Sequence, residues 1–277
     1  MNMGSTGGSQ ARRHIFITGG ASGIGRAVAL YFAKQGWFVT VTDVNLAGLE
    51  ETLGLIEGDA KHSHQLDVRD RDAWDTALEA AATAAGGRID VMFNNAGIGT
   101  GGTLAELGKD EIDACLDINL RGVLYGAQAV YPYLQKTAPG SALVNTASAA
   151  GITGGTGMSV YSATKFAVRG IAESLDAEWA PENIKVSSIC PSFIETPLLD
   201  GTGNRSGNEQ IRARVLQAGL EITPVEEVAK TVWDAVHGDE VHYLVGKTAK
   251  RINFAKRWMP GRVRKQQRQA SGLLSAN

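Results

Sequence analysis

Short apolar runs and helical patterns alternate along most of this 277-residue chain. Apolar residues with helical spacing recur at 24–35, 46–56, 71–85, 109–136, 159–180 and 224–237, and we expect the 109–136 pattern to break in its middle. This alternation predicts one α/β domain built on a doubly wound parallel sheet of about seven strands, with helices on both faces. The apolar runs that predict the strands fall at 14–18, 38–43, 62–67, 91–94, 141–146, 185–190 and 241–245.

A glycine-rich turn follows the first predicted strand, in the run Thr18-Gly19-Gly20-Ala21-Ser22-Gly23-Ile24-Gly25. Glycine allows a sharp turn and a close approach of phosphate to the backbone, and the following helix offers unpaired N–H groups at its N-terminus. A glycine pattern alone could mark an ordinary turn. Together with the strand before it, the helix after it and Asp43 at the end of the second strand, it predicts a dinucleotide site.

Chemically useful residues stand at or just after the ends of the predicted strands. Ligands of open α/β sheets bind outside the carboxyl ends of the strands, so these residues are expected to meet at one site. They are Gly19, Asp43, Asp67, Asn94, Ser148 and Pro191.

Tyr161 and Lys165 lie four residues apart on a predicted helix, with Ser148 thirteen residues before the tyrosine. The spacing places the phenol and the ammonium on one helix face, where the cation would favour the phenolate. The pair could therefore act as a general acid or base near neutral pH. Taken alone, however, a Tyr-x-x-x-Lys pattern more often marks an aromatic ring packed beside a solvated lysine.

In their order and spacing, these motifs resemble the classical short-chain dehydrogenase/reductase family over the span from Thr18 to Gly246. The resemblance implies a Rossmann-like fold and hydride chemistry with a nicotinamide cofactor. The matching positions are the glycine motif, Asp67-Val68, Asn94-Asn95-Ala96-Gly97, Asn119, Ser148, Tyr161, Lys165 and Pro191 through Thr196.

The resemblance implies a catalytic set of Asn119, Ser148, Tyr161 and Lys165. Tyr161 would exchange the hydroxyl proton, and Lys165 would lower its pKa and hold the cofactor's ribose. Ser148 would orient the substrate oxygen, and Asn119 would complete a water-linked proton relay. Thr146 and Ser159 are alternative hydroxyls, but the family's thirteen-residue spacing to the tyrosine singles out Ser148. The expected substrate contacts are Ser148, Tyr161 and Phe193.

NAD is the expected cofactor, with NADP less favoured. By resemblance, Asp43 would accept hydrogen bonds from ribose hydroxyls and repel a 2′-phosphate, and Ser22 and Val44 stand where NADP-preferring relatives carry Arg or Lys. Ser192 replaces the usual glycine after Pro191, which leaves the backbone geometry there open. The expected cofactor contacts are Gly19, Ser22, Gly23, Ile24, Gly25, Asp43, Asp67, Val68, Asn94, Ala96, Gly97, Tyr161, Lys165, Pro191, Ile194 and Thr196.

Composition indicates a globular, cytoplasmic protein. The two cysteines are far apart, the five histidines show no metal-ligand spacing, and no stretch approaches the length of a membrane span. The sequence thus predicts no metal. We expect a flexible lead at 1–10, one domain at 11–247 with a substrate loop at 192–221, and a basic C-terminal extension at 248–277. The polar run 200–208 in that loop predicts a lid that orders on substrate binding, with a plain surface loop as the alternative.

The charge of the chain is unevenly distributed. All 29 acids and 18 of the 27 basic residues precede residue 247, so residues 1–246 carry a formal net charge of −11. The remaining nine cations lie between Lys247 and Arg268, around Ile252, Ala255 and Trp258 or Met259 at helical spacing. A helix packed on the body or a neighbouring subunit is the favoured interpretation, and one that touches anionic lipid is the alternative.

The sequence as a whole predicts an NAD-dependent oxidoreductase that interconverts a hydrophobic secondary alcohol and a ketone. The alternatives are an NADPH-dependent carbonyl or ketoacyl reductase, a dehalogenase- or epimerase-like relative, and a non-catalytic dinucleotide sensor. The intact glycine motif and the Tyr161–Lys165 pair argue against the dehalogenase and the sensor. The helices predicted at 109–136 and 159–180 resemble those through which family members assemble, which implies a homodimer or homotetramer. We expect no nucleic-acid partner.

Overall fold

The computed structural model describes residues 12–200 and 211–274. Seven strands form one sheet in the order β3-β2-β1-β4-β5-β6-β9, and every neighbouring pair is parallel. Two further short strands, β7 and β8, pair with each other beside the sheet. In chain order the strands are His14–Thr18 (β1), Phe38–Asp43 (β2), Lys61–Gln65 (β3), Val91–Asn94 (β4), Ala142–Thr146 (β5), Lys185–Pro191 (β6), Phe193–Ile194 (β7), Ile222–Thr223 (β8) and His242–Val245 (β9).

Helices fill the intervals between the strands and extend beyond the last one. A five-residue π-helical segment, Asp117–Arg121, joins two of them. The α-helices are Gly23–Lys34 (α1), Leu46–Leu55 (α2), Arg71–Ala84 (α3), Lys109–Leu116 (α4), Gly122–Thr137 (α5), Ser159–Trp179 (α6), Ile211–Gln217 (α7), Val225–His237 (α8), Gly246–Trp258 (α9) and Pro260–Leu274 (α10).

The sheet is covered on both faces because its central strands are apolar on both sides. All five residues of β1 are buried, and alternate residues point to opposite faces. Ile15 and Ile17 pack in a cluster with Val28 of α1 and Val232 of α8. Phe16 packs on the other face, in a cluster supplied by α3, α5 and α6. The predicted doubly wound architecture is confirmed.

The predicted elements differ from the structure mainly at their ends. β3 ends at Gln65, so Asp67 lies in the loop beyond the strand. The 109–136 helix breaks, as expected, and the break is the π-helical segment that contains Asn119. The lead at 1–10 and most of the polar run 200–208 lie outside the described residues.

Candidate active site

A cavity of about 880 Å³ opens at the carboxyl ends of the strands. Its size is within the usual range for a ligand site. Three of the proposed residues, Gly25, Asn94 and Asn119, are not on its surface and lie behind its wall. The proposed residues that line it are Gly19, Ser22, Gly23, Ile24, Asp43, Asp67, Val68, Ala96, Gly97, Ser148, Tyr161, Lys165, Pro191, Phe193, Ile194 and Thr196.

The glycine-rich turn forms one end of the cavity. Gly19 has a φ of +66° and Gly23 a φ of +52°, in the left-handed region that glycine favours. A Cβ on Gly25 would lie 2.1 Å from the carbonyl oxygen of Gly19, so Gly25 acts by allowing close packing of the turn. Gly23 and Ile24 begin α1 and line the cavity, where the helix N-terminus favours a phosphate group. These features fit the diphosphate of a dinucleotide.

Asp43 lies beside this turn, at the end of β2. One carboxylate oxygen accepts from the Ala21 N–H at 3.2 Å and the other from the Asn45 N–H at 3.0 Å. The nearby cation, Arg26, is directed elsewhere: its guanidinium bonds Thr52 and pairs with Glu51 at 2.8 Å. The acid therefore faces the cavity, whereas the arginine belongs to the contact between α1 and α2.

Arg69 is a cavity residue that the sequence did not single out. Its guanidinium grips both carboxylate oxygens of Asp67, with Nη2 to Oδ2 at 2.6 Å and Nε to Oδ1 at 2.9 Å. This hydrogen bonding holds the pKa of Asp67 below its usual value. The cofactor contact expected of Asp67 thus involves a carboxylate that Arg69 already fixes in place. Asp67 and Arg69 are only two residues apart in a polar loop, so no sequence pattern indicates that they pair.

Tyr161 and Ser148 come together on the floor of the cavity. Burial raises the pKa of the Tyr161 phenol, and a hydrogen bond with Ser148 lowers it to a smaller extent. Ser148 sits after β5, where its oxygen accepts from the Ala150 N–H at 3.1 Å. The other candidate hydroxyls are placed differently. The Thr146 hydroxyl donates to Asn95 at 3.3 Å, and Ser159 is exposed and does not line the cavity.

Lys165 is buried one turn further along α6. Its Nζ donates to the Thr146 carbonyl at 2.8 Å and lies 5.6 Å from the centroid of the Tyr161 ring. Burial lowers the pKa of Lys165 to about 8. Burial outweighs any lowering by Lys165 in this structure, so the role of Lys165 in setting the Tyr161 pKa stays a prediction. The ammonium bonds a carbonyl oxygen and faces the ring, and burial dominates the phenol.

Asn119 is fully buried within the π-helical segment, where its side-chain amide makes two hydrogen bonds with the backbone of one residue, Ile98. Oδ1 accepts from the Ile98 N–H at 2.8 Å, and Nδ2 donates to the Ile98 carbonyl at 2.8 Å. A Cβ on Gly97 would lie 3.1 Å from Asn119 Oδ1 and 3.6 Å from Lys165 Nζ. The asparagine therefore approaches the lysine across Gly97 and fixes the loop that forms the cavity wall.

Two neighbouring asparagines connect the strand ends. Asn94 is buried and donates to the Val123 carbonyl and to Asn145, which ties β4 to α5 and β5. Asn95 donates to the Thr18 carbonyl at 3.0 Å, which holds the glycine turn against β4. Asn94 thus supports the site from behind, and Asn95, which we had not assigned to the site, lines it.

The segment after β6 closes the cavity opposite the glycine turn. A Cβ on Gly23 would lie 3.3 Å from the Thr196 methyl group, so the two segments nearly touch. Ser192 has an ordinary negative φ, since Asn183 is the one non-glycine residue with positive φ in the described part of the chain. The position therefore does not require glycine, and the local geometry that the sequence left open accommodates serine.

The far end of the cavity is mostly apolar. Phe193 stands beside residues from four separate segments: the loop after β4, the loop before α6, the segment after β7, and α7 with the turn after it. Arg214 adds a charged group to this end. The apolar lining residues are Ile98, Met158, Leu198, Leu199, Ile211, Val215 and Leu220.

Comparison with known proteins assigns the chain to a family. Residues 13–206 match the family described as short chain dehydrogenase. The chain belongs to the short-chain dehydrogenase/reductase family. It is 34% identical, over 83% of its length and 92% of the relative, to the 3-oxoacyl-[acyl-carrier-protein] reductase FabG of Thermotoga maritima. Members of this family are oxidoreductases that act on CH–OH groups.

Solved structures agree with this assignment. A short-chain dehydrogenase/reductase from Burkholderia phymatum in complex with NAD superposes with a TM-score of 0.80 and is 26% identical over 92% of this chain and 95% of that one. A variant of the actinorhodin polyketide ketoreductase with NADPH superposes with a TM-score of 0.77 and is 27% identical over 84% and 95% of the two chains. Structural neighbours thus hold either dinucleotide.

Proposed function

We propose that this protein is an NAD-dependent oxidoreductase that interconverts a hydrophobic secondary alcohol and the corresponding ketone. One observation carries the proposal. Ser148, Tyr161 and Lys165 share a single cavity with the glycine turn and Asp43. The first set suits acid–base chemistry at a carbinol or carbonyl oxygen, and the second suits a dinucleotide. A family enzyme needs both sets within reach of one substrate.

Tyr161 is the proposed proton donor and acceptor. Burial favours its protonated form, which can donate to a carbonyl oxygen held by the Ser148 hydroxyl. In the reverse direction Tyr161 accepts the hydroxyl proton, and the Lys165 cation stabilises the phenolate. Asn119 holds the wall beside Lys165. The nicotinamide supplies or accepts the hydride when it is bound.

NAD is the proposed cofactor because the groups around Asp43 do not suit a 2′-phosphate. The carboxylate can accept from ribose hydroxyls, whereas a phosphate would bring like charges together. Arg26 is held by Thr52 and Glu51, so it is not directed at the cavity. The other residues that the sequence predicts as cofactor contacts are proposed to have that same role. An NADPH-dependent carbonyl reductase is the second candidate, because the polyketide ketoreductase with NADPH has a similar fold.

The proposed substrate follows from the apolar end of the cavity. Phe193, Met158 and Leu198 line it, so a ketone or alcohol with an apolar body would lose water-exposed surface on binding. The similar FabG is named for reducing a 3-oxoacyl group, a ketone on an acyl chain. We further propose cytoplasmic homo-oligomers that pair through α4, α5 and α6, where Leu116, Leu124 and Phe166 are partly exposed.

A substrate panel tests the proposal. Secondary alcohols with NAD, and ketones with NADH, should change the nicotinamide absorbance, with rates that rise with the apolar size of the substrate. The same panel with the phosphorylated dinucleotides should be slower. Dinucleotide binding in a calorimeter without turnover of any substrate would support a sensor and overturn the enzymatic proposal.

A further inference from the structure

The two C-terminal helices present one face to the body and another to solvent. On the inner face Thr248 and Ala249 are buried, and Ile252 packs against the core cluster that contains Val168 and Cys190. Met259 continues this face at helical spacing and is half-buried. The packing predicted for the basic extension is thus present, and Met259 rather than Trp258 occupies the inner position.

The outer face carries two large aromatic side chains. Phe254 is 59% exposed and Trp258 is 65% exposed, and their spacing of four residues puts them one above the other. Arg257 lies over the Trp258 ring at 5.5 Å. A solvated helix face gains nothing from exposed phenyl and indole rings, so this pair suggests a surface that some partner covers.

Cations surround the two rings, and carboxylates are few. Lys247 pairs with Glu221, which belongs to the body. Among the described residues, no carboxylate lies within 4 Å of Lys250, Arg251 or Arg257. The acidic body therefore supplies no direct ion-pair partner for these three cations. On the next helix, Arg264, Lys265 and Arg268 are exposed along one side of α10.

We propose that the outer face of α9 and α10 docks on an anionic lipid bilayer. Helices that lie in a membrane interface combine a basic face with Trp and Phe side chains at the headgroup level, as here. Arg264 and Lys265, on the exposed side of α10, can donate hydrogen bonds to lipid phosphate groups. Because residues 1–246 carry a net charge of −11, the bilayer attracts this face and repels the rest, which sets the orientation. No described helix could cross a membrane, so the contact is peripheral.

The docking surface is linked to the substrate end of the cavity. Gln267 of α10 donates to the Thr153 hydroxyl at 3.0 Å and also to the Gly154 carbonyl. The Thr156 hydroxyl donates back to the Gln267 carbonyl at 3.2 Å, and Thr156 lines the cavity. Docking would therefore hold the apolar end of the cavity beside the bilayer. If the proposed function is right, apolar substrates would enter the cavity from the bilayer.

Vesicle flotation tests the docking without any substrate. The full chain should float with vesicles that contain phosphatidylglycerol and should not float with pure phosphatidylcholine. Lys250→Gln with Arg251→Gln and Arg257→Gln should weaken the partition more than tenfold, and so should added salt. Phe254→Ser with Trp258→Ser should also weaken it, whereas Leu46→Ser with Leu55→Ser, which removes two exposed leucines from α2, should not.

Other occupants give different results. Equal binding to neutral vesicles, or flotation unchanged by both tail variants, would overturn the proposal. So would a tail that retards duplex DNA or an RNA homopolymer in gels but binds no vesicles, or a Phe254/Trp258 variant whose only change is a smaller oligomer in sedimentation. Tyr161→Phe should float like the wild type, so loss of the proposed activity does not mimic loss of docking.

Discussion

The two ends of the cavity are built by different physical means. At the dinucleotide end, backbone atoms pack so closely that a Cβ on Gly25 would lie 2.1 Å from the Gly19 carbonyl oxygen. At the substrate end, a Cβ on Gly99 would meet only the Leu198 side chain, at 3.5 Å. Backbone geometry demands particular residues, whereas an apolar wall accepts many. The dinucleotide end can therefore be recognised from a sequence motif, whereas the substrate end cannot.

Tyr161→Phe should produce the largest effect, at the junction of the two ends. The change removes the exchangeable proton and the bond with Ser148 and keeps the ring. We expect kcat/KM to fall by about 10²- to 10⁴-fold, the usual contribution of a general acid or base. Calorimetry should show dinucleotide affinity within a fewfold of wild type. Activity within tenfold of wild type would mean that another group moves the proton.

Lys165→Met should change how stability depends on pH. The folded pKa is about 8, below the ordinary 10.5, so between these values the unfolded chain binds more protons and wild-type stability rises with pH. The rise amounts to at most about 3 kcal/mol and is absent in the variant. In urea unfolding, the free energy of unfolding of the variant minus that of the wild type should therefore be greatest below pH 8 and should decrease toward pH 10.5. Lys230→Met, at an exposed lysine whose pKa Asp234 raises, should show no such trend.

Asp43→Ala with Val44→Arg should reverse the cofactor preference. One unit of like charge at about 4 Å costs roughly 4 kcal/mol at an effective dielectric of about 20, and exposure at the cavity rim trims this to about 2–3 kcal/mol. The wild type should therefore favour NAD by about 30- to 150-fold in kcat/KM. Arg26→Gln should leave the preference unchanged, because its guanidinium bonds Thr52 and Glu51. Equal kcat/KM for both dinucleotides in the wild type would contradict the role of Asp43.

Gly25→Ala should damage the dinucleotide end through packing. The methyl group would collide with the Gly19 backbone, which cannot move without shifting the turn. Overpacking of this kind costs about 1–3 kcal/mol, and affinity for the dinucleotide should fall with it. Gly54→Ala is the matched control, because α2 has open space at that position and alanine favours helix by up to about 1 kcal/mol. Thermal unfolding should show a lower stability, and calorimetry a weaker dinucleotide affinity, for Gly25→Ala and not for Gly54→Ala.

The parts that could be predicted are those where one residue type solves a local problem. Gly19 and Asp43 are set by the turn and the strand end, and the break near Asn119 is indicated by the poor helix propensity of asparagine together with the family resemblance. The clamp of Arg69 on Asp67 escaped notice, because exposed charged pairs leave no periodic pattern. The bond between Gln267 and Thr153 joins residues 114 positions apart through polar side chains, and nothing local in the sequence indicates it.

Gly99→Ala should have the smallest effect and so tests the comparison most directly. The position is exposed, its φ is not in the left-handed region, and the new methyl group would make an ordinary contact with Leu198. Stability should stay within about 0.5 kcal/mol of wild type and dinucleotide affinity should not change. One methyl group of apolar contact is worth about 0.8 kcal/mol, or about fourfold in KM for a slim ketone, with kcat unchanged. If Gly99→Ala instead weakened the dinucleotide as much as Gly25→Ala, the two ends would not be independent, and the substrate wall would be as constrained as the turn.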